Sequence, residues 1–319
     1  MSLFDPDPEP DAAVSGADRH PGGAAPGSGP PAPAGPLVRL RLLVAYDGRG
    51  FHGFAAQPGQ RTVAGVLGAA VERVVRHPVE LVCAGRTDAG VHAWGQVVHV
   101  DVVAATGDAQ APAVEPAALQ RACNRLLAPT VVVREAAPEA PAFDARRSAL
   151  SRRYRYTIVN RALPDPFLAA TAWHVAEALD LRSMQLACDA FLGEHDFAAF
   201  CRRPQGAGAE DPLVRRVLDA SWRETGDGVL RFEIEASSFC QHMVRSIVGT
   251  HVDVGLGRKR AGDMSWIIRG RDRALAGAPA PAHGLCLWEV RYPQDDRGGA
   301  GSLARSGAGQ RTSSTRNPA

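Results

Sequence analysis

The chain has 319 residues, 36 Lys+Arg against 34 Asp+Glu, a formal net charge of +2 and six cysteines. With 45% hydrophobic residues, that length holds about two domains with substantial cores. No apolar run reaches the roughly 18–20 residues of a membrane helix. The acidic, Pro-rich start lacks the basic and apolar regions of a secretory signal, and no two cysteines form a CxxC pair. These features exclude a membrane span, a zinc ribbon and a disulfide framework, and point to a cytoplasmic protein with reduced thiols.

Charge is unevenly spread. Residues 1–36 carry net −4 and residues 294–319 net +2, which leaves +4 for the middle. Of the basic residues only Lys259 is a lysine. So mild an excess permits an RNA partner without requiring one. Residues 1–36 are Pro/Gly/Ala-rich and residues 294–319 Gly/Ser/Arg-rich. Neither buries enough apolar surface to offset its ordering entropy, and both are expected to be disordered tails.

Between them the elements follow in order. Leu37–Tyr46 alternates apolar and polar residues as a strand does. Thr62 caps a helix predicted over Val63–His77, whose apolar stripe ends at Pro78. A short strand at Val79–Ala84, a loop at Gly85–Gly90 and a strand at Val91–Val102 come next, then a helix at Pro116–Leu127 and a strand at Thr130–Ala136. The second half has a strand at Ser148–Asn160, a helix at Asp180–Leu192 and a hairpin of Val214–Glu224 with Val229–Ala236. Helices at Gln241–Val254 and Ala261–Arg269 and a closing strand at Gly284–Tyr292 complete it. The expectation is an α+β protein. It has two packed α/β half-domains, 37–145 with the polar loop and 146–293, with mixed, mainly antiparallel sheets able to merge.

Three clusters could carry chemistry. In Gly85-Arg86-Thr87-Asp88-Ala89-Gly90-Val91-His92, glycines bracket Asp88 and allow close approach of a ligand. An ionised Asp there can be a nucleophile or a base, and Arg86 can hold it ionised or bind phosphate. By itself the spacing is by default that of an ordinary Asx turn with a surface Arg–Asp pair. In Arg152-Arg153-Tyr154-Arg155-Tyr156, alternation places Arg153 and Arg155 on one face and Arg152, Tyr154 and Tyr156 on the other. This fits an RNA platform or a half-buried strand with solvated arginines. In the third, His242, Arg245 and Gly249 share a helical face, where His242 could contact phosphate, tune a carboxylate or simply fill the core. The ten histidines show no metal-ligand spacing, and no phosphate loop or nucleophile elbow is present.

Taken in order, these clusters resemble the tRNA pseudouridine synthase A family. The match runs through Ala84–Ala93, Gly95-Gln96-Val97-Val98, Phe143-Asp144-Ala145-Arg146, Arg153-Tyr154-Arg155-Tyr156 and Ser238–Gly249. It extends to Asp272-Arg273, Ala280-Pro281-Ala282 and Gly284-Leu285, covering about 38–293. It departs from the family pattern at Phe54, Ala55, Ala64 and Arg147, positions that bear on tRNA contact. The resemblance implies the pseudouridine synthase fold and isomerisation of uridine to pseudouridine in the anticodon stem-loop, at tRNA positions 38, 39 and 40. No cofactor or metal is implied. It makes Asp88 the nucleophile, although addition to C6, attack at C1′ and removal of a C2′ proton stay open. It makes Arg86 and Tyr154 substrate-binding residues, with Arg86 paired to Asp88 and the Tyr154 hydroxyl placed to help remove the C5 proton. Arg153, Arg155, His242 and Arg245 remain as RNA-binding candidates, and the family implies a homodimer on one tRNA. Two other readings stay open: a non-catalytic tRNA-binding or folding protein on the same scaffold, and a hydrolase using Asp88 with His92 or His242.

Overall fold

In the computed structural model, residues 35–203, 206, 208 and 211–293 are described. Apart from Gly35 and Pro36, the two expected tails lie outside them. The alternation of Leu37–Tyr46 makes strand β1, with Leu40, Leu42 and Val44 fully buried. It is flanked by β3 (His92–Ala105) and β5 (Val131–Pro138), antiparallel to both. Four further long strands follow: β6 (Ser151–Val159), β9 (Val214–Glu224), β10 (Val229–Ala236) and β11 (Leu285–Arg291). With β8 (Gly193–Asp196) they form one sheet of order β5-β1-β3-β11-β6-β10-β9-β8. Short strands β2 (Val82–Cys83) and β4 (Asp108–Pro112) pair with β3, and β7 (Trp173–His174) with β6. All pairings are antiparallel except β11 with β3 and β6 with β7.

The expected sheets do merge, and the seam is the closing strand. Along Cys286–Leu287, β11 runs parallel to β3, and on its other side it is antiparallel to β6 from Leu285 to Arg291. The last strand of the second half therefore lies against the strand that follows the Asp88 loop.

Helix α1 (Val63–Val75) starts where Thr62 Oγ1 accepts from Gly65 N at 3.2 Å. Arg76 then turns left-handed, ending it two residues before the expected His77. Helix α2 (Pro116–Leu127) is capped by Glu115 and α3 (Leu181–Cys188) by Asp180, after which Asp189–Phe191 tightens into a 3₁₀ turn. Helix α4 (Met243–Gly255) begins one residue after His242, whose φ of +67° takes it out of the helix. Helix α5 (Asp263–Gly270) is two residues shorter at its start than expected. Strand β2 is shorter too, since it pairs only with Val98 and His99 of β3. Strands β4, β7 and β8 were not foreseen: Asp108-Ala109-Gln110 and Glu194-His195-Asp196 carry no apolar alternation, and Trp173-His174 is too short to show any.

Candidate active site

Asp88 sits in the loop between β2 and β3, and a hydrogen-bond network deep in the core fixes that loop. Tyr46 of β1 shares a 2.8 Å bond with Thr87 Oγ1, and Gln96 of β3, fully buried, donates to Gly85 O at 2.7 Å. Phe54 N donates to Thr87 O, Gly90 N to Phe51 O and Val91 N to Asp88 O. The carboxylate is thus displayed by a backbone bonded on both sides. Gly53 makes the close approach possible: its φ is +91°, and a Cβ there would meet Thr87 O at 2.8 Å.

The loop forms one wall of a cleft of ≈ 1630 Å³ that is also lined by Arg86, Tyr154, Phe239, His242 and Arg245. The facing wall comes from the second half of the chain. Tyr154 projects from β6, 7% exposed, its ring edge-on to Phe239 at 4.9 Å between centroids. Arg245 on α4 brings Nη1 to 3.9 Å from Asp88 Oδ2, while its Nε donates to Ala280 O at 2.7 Å. His242 Nε2 is also 3.9 Å from Asp88 Oδ2. These two residues are therefore gathered at Asp88, which fits the carboxylate-tuning option for His242 but was not expected of Arg245, and they do not reach it from one helical face. The left-handed turn at His242 aims its ring, a conformation uncommon outside glycine. Gly249 sets the approach of α4: a Cβ on it would fall 1.9 Å from Ala278 O, next to the segment that holds Arg245.

Burial dominates the titration of the cleft. It pushes the Tyr154 phenol well above its ordinary value, and the nearby Asp88 charge pushes the same way. Tyr154 is therefore a neutral phenol at neutral pH. Burial lowers His242, Asp88 opposes this, and Arg245, Arg202 and Arg273 reinforce it. The imidazole beside the carboxylate is neutral near pH 7.

Arg86 lies exposed on the rim, and among the described residues no ion pair joins it to Asp88. Arg153 and Arg155 face away from the cleft, and the expected free arginine stripe is an ion-paired one. Arg153 Nη2 is 2.5 Å from Glu235 Oε2. Arg155 Nε is 2.5 Å from Glu233 Oε1, and its guanidinium caps Trp288. The partner glutamates alternate on β10 opposite β6, a cross-strand pattern legible once the two strands are paired. Of the four departures from the family pattern, Phe54, Ala55 and Ala64 line the cleft and Arg147 does not.

Sequence reasoning passed over Arg152. It is 8% exposed and has no acidic partner among the described residues. Its guanidinium donates to Ala84 O (2.9 and 3.2 Å), Arg146 O (2.6 Å), Ser237 O (2.7 Å) and Ala149 O (3.3 Å). Ala84 immediately precedes the Asp88 loop and Ser237 leads into Phe239 and His242, so one side chain fastens both walls. The cysteine expectation is also corrected. Cys201 and Cys240 are joined through their sulfurs with Cα atoms 5.8 Å apart, because the turn after Phe200 lies beside the approach to α4; Cys83, Cys123, Cys188 and Cys286 are free. Among the described residues, no group of three or more His, Cys, Asp or Glu could hold a metal, and no helix is long and apolar enough to cross a membrane.

Comparison with known proteins gives one consistent result. The family model described as tRNA pseudouridine synthase matches residues 42–146 and 187–293, which include Asp88 and Arg245. A tRNA pseudouridine synthase A from Frankia casuarinae is 46% identical over 263 residues, covering 81% of this chain and 91% of that protein. The protein of the same name from Leifsonia xyli is 43% identical, covering 81% and 93%. That from Bacillus licheniformis is 38% identical, covering 80% and 99%. With most of both chains aligned and the Asp88 loop inside the matched segment, this chain belongs to the tRNA pseudouridine synthase family.

Proposed function

We propose that this protein isomerises uridine to pseudouridine in the anticodon stem-loop of tRNA, at positions 38, 39 and 40, with Asp88 as the nucleophile. The observation that carries the reading is an aspartate on a doubly bonded loop, faced by Arg245 and His242 across a cleft large enough for an extruded nucleotide. The reaction breaks N1–C1′, turns the uracil and joins C5 to C1′. C5 gives up a proton and N1 gains one, so composition is unchanged and no redox partner is needed. A base paired in a stem is out of reach of Asp88, and the target must be flipped out at a cost of a few kcal/mol. Tyr154 then lies against the base. Its phenol can accept the C5 proton only by passing its own onward, because burial and Asp88 together disfavour the phenolate. Arg86 on the rim is free to hold the substrate. On the family resemblance alone, the reading extends to a homodimer acting in the cytoplasm.

Asp88→Asn tests it. The amide is nearly isosteric but neither a nucleophile nor a useful base. Pseudouridine mapping on transcribed tRNA should show no product, while tRNA affinity stays near native. Turnover within tenfold of native would remove Asp88 from the chemistry. Native protein that binds tRNA and leaves every uridine unchanged would favour the non-catalytic reading.

A further inference from the structure

Of the five tryptophans, four have an occupied ring. Trp94 and Trp288 stack on each other with Arg134 and Arg155 over them, Trp173 packs edge-on to Tyr156, and Trp222 is buried against Phe232 and His251. Trp266 on α5 touches no aromatic ring or guanidinium among the described residues and is 57% exposed. Met264, Ile267 and Ile268 anchor α5 in the core, so the indole is held outward by a fixed helix. On the same helical face lie Gly262, Asp263, Arg269 and Gly270, at offsets of −4, −3, +3 and +4, none of them apolar side chains that would bury the indole.

The surroundings are basic. From Arg258 to Arg273 the chain has Arg258, Lys259, Arg260, Arg269, Arg271 and Arg273 against Asp263 and Asp272, a net +4. Arg258 is paired with Asp253 and Arg271 with Asp196. Lys259, Arg260 and Arg269 have no ion pair among the described residues; Arg260 and Arg269 are exposed and Lys259 is half-buried. The segment after α5 reaches toward the cleft, since Arg273 acts electrostatically on His242, as does Arg202 on the cleft wall.

We infer that α5 and the turn before it form a second RNA-binding surface, in which Lys259, Arg260 and Arg269 contact the phosphate backbone and Trp266 stacks on an unpaired base. The inference rests on the tRNA reading above and locates a contact that reading does not contain. With the target stem in the cleft, the ligand of this surface is a part of the tRNA outside the anticodon arm. An open aromatic face among unpaired cations is the chemistry that binds nucleic acid without reading its sequence. A protein partner would instead favour apolar neighbours around the indole, and here they are glycine, aspartate and arginine.

The test compares native protein, Lys259→Gln/Arg260→Gln/Arg269→Gln, Trp266→Ala and Trp266→Phe. Each is titrated with full-length tRNA and with an isolated anticodon stem-loop RNA at several salt concentrations. None of the substituted positions is buried, and melting temperatures verify folding. The triple variant should bind full-length tRNA at least tenfold more weakly, with a salt slope smaller by about two to three units. Trp266→Ala should weaken it about 5- to 160-fold, the equivalent of roughly 1–3 kcal/mol of stacking, and Trp266→Phe should restore most of the loss. Tryptophan fluorescence quenched by tRNA in native protein should be diminished in Trp266→Phe. Stem-loop affinity should be unchanged throughout. Native affinity and salt slope in the variants would overturn the inference, as would equal weakening toward both RNAs. A changed sedimentation mass with unchanged tRNA affinity would assign the patch to self-association and overturn it too. Because the readout is binding, a native protein that binds tRNA but forms no pseudouridine refutes the catalytic reading alone, whereas pseudouridine formation with unaffected variants refutes this inference alone.

Discussion

Arg152→Met removes the side chain that fastens the two walls of the cleft while keeping most of its volume. Three of its bonds are short, to Arg146 O, Ser237 O and Ala84 O at 2.6, 2.7 and 2.9 Å, and the contacts at 3.2 and 3.3 Å add little. A hydrogen bond from a charged donor contributes roughly 1.5–3 kcal/mol net. The substitution also removes a cation that burial disfavours, enough to lower the Arg152 pKa despite opposing neighbours, so part of the loss is returned. The expected destabilisation is about 3 kcal/mol, measured by urea unfolding. Ala84 O, in a residue 2% exposed, is the acceptor water reaches least. Its loss should loosen the loop that begins at the next residue. A displacement near 1 Å at Asp88 can cost on the order of a hundredfold in rate, so at a temperature where the variant is folded, kcat should fall far more than KM rises. Arg152→Lys has three donors but no planar fork and should recover about half of the stability. A methionine variant within about 1 kcal/mol of native stability and with native kcat would show that the walls are held by something else.

Two further outcomes are expected. Tyr154→Phe should lower turnover by about 10²–10⁴ while changing tRNA affinity less than threefold, because the ring and its edge contact with Phe239 remain and only the proton-handling hydroxyl goes; normal turnover with Phe but not with Ala would make Tyr154 a stacking platform and nothing more. His251 is fully buried, accepts from Trp222 Nε1 at 2.9 Å, and has its pKa lowered by burial to about 3. Below pH 6.5 the unfolded chain takes up a proton that the folded chain refuses, so stability falls by about 1.36 kcal/mol per pH unit toward pH 3, or about 2 kcal/mol at pH 5. His251→Gln, which keeps an acceptor, should flatten that dependence in thermal melts, and an unchanged slope would refute the assignment.

How much of this was legible in the sequence depended on whether the partners were local. The Asp88 loop could be read because its glycines, its charges and the flanking strands all lie within ten residues. Tyr154, 66 residues further on, could be placed at the site only through the resemblance, and Arg245, 157 residues further on, was read only as an RNA-binding candidate. Arg152 could not be recognised. Its acceptors at Ala84 and Ser237 lie 68 and 85 residues away and are backbone carbonyls, which leave no mark on composition or spacing. Tyr46 and Gln96 escaped for the same reason: each reads as an ordinary strand position until the loop is folded over it. The alternation of β6 predicted the faces of Arg153 and Arg155 correctly, but their neutralisation by Glu235 and Glu233 needed the register of β10. His242 was placed inside a helix because nothing in its neighbours signals a left-handed residue.

The site also explains why the sheet must be continuous. The first half supplies Asp88 and the network that displays it, but no cation within reach of its carboxylate among the described residues. The second half supplies Arg245, His242 and Tyr154, all turned toward an acid it does not possess. Neither half holds a complete site. What brings them into register is β11, hydrogen-bonded to β3 at the base of the Asp88 loop and to β6 at Tyr154. Leu287 is the common point, opposite Ala93 on one side and Tyr154 on the other. A shift of this strand by one residue would turn its side chains to the opposite face and carry Tyr154 away from Asp88. The closing strand, which contributes no group to the chemistry, therefore sets the distance on which the chemistry depends.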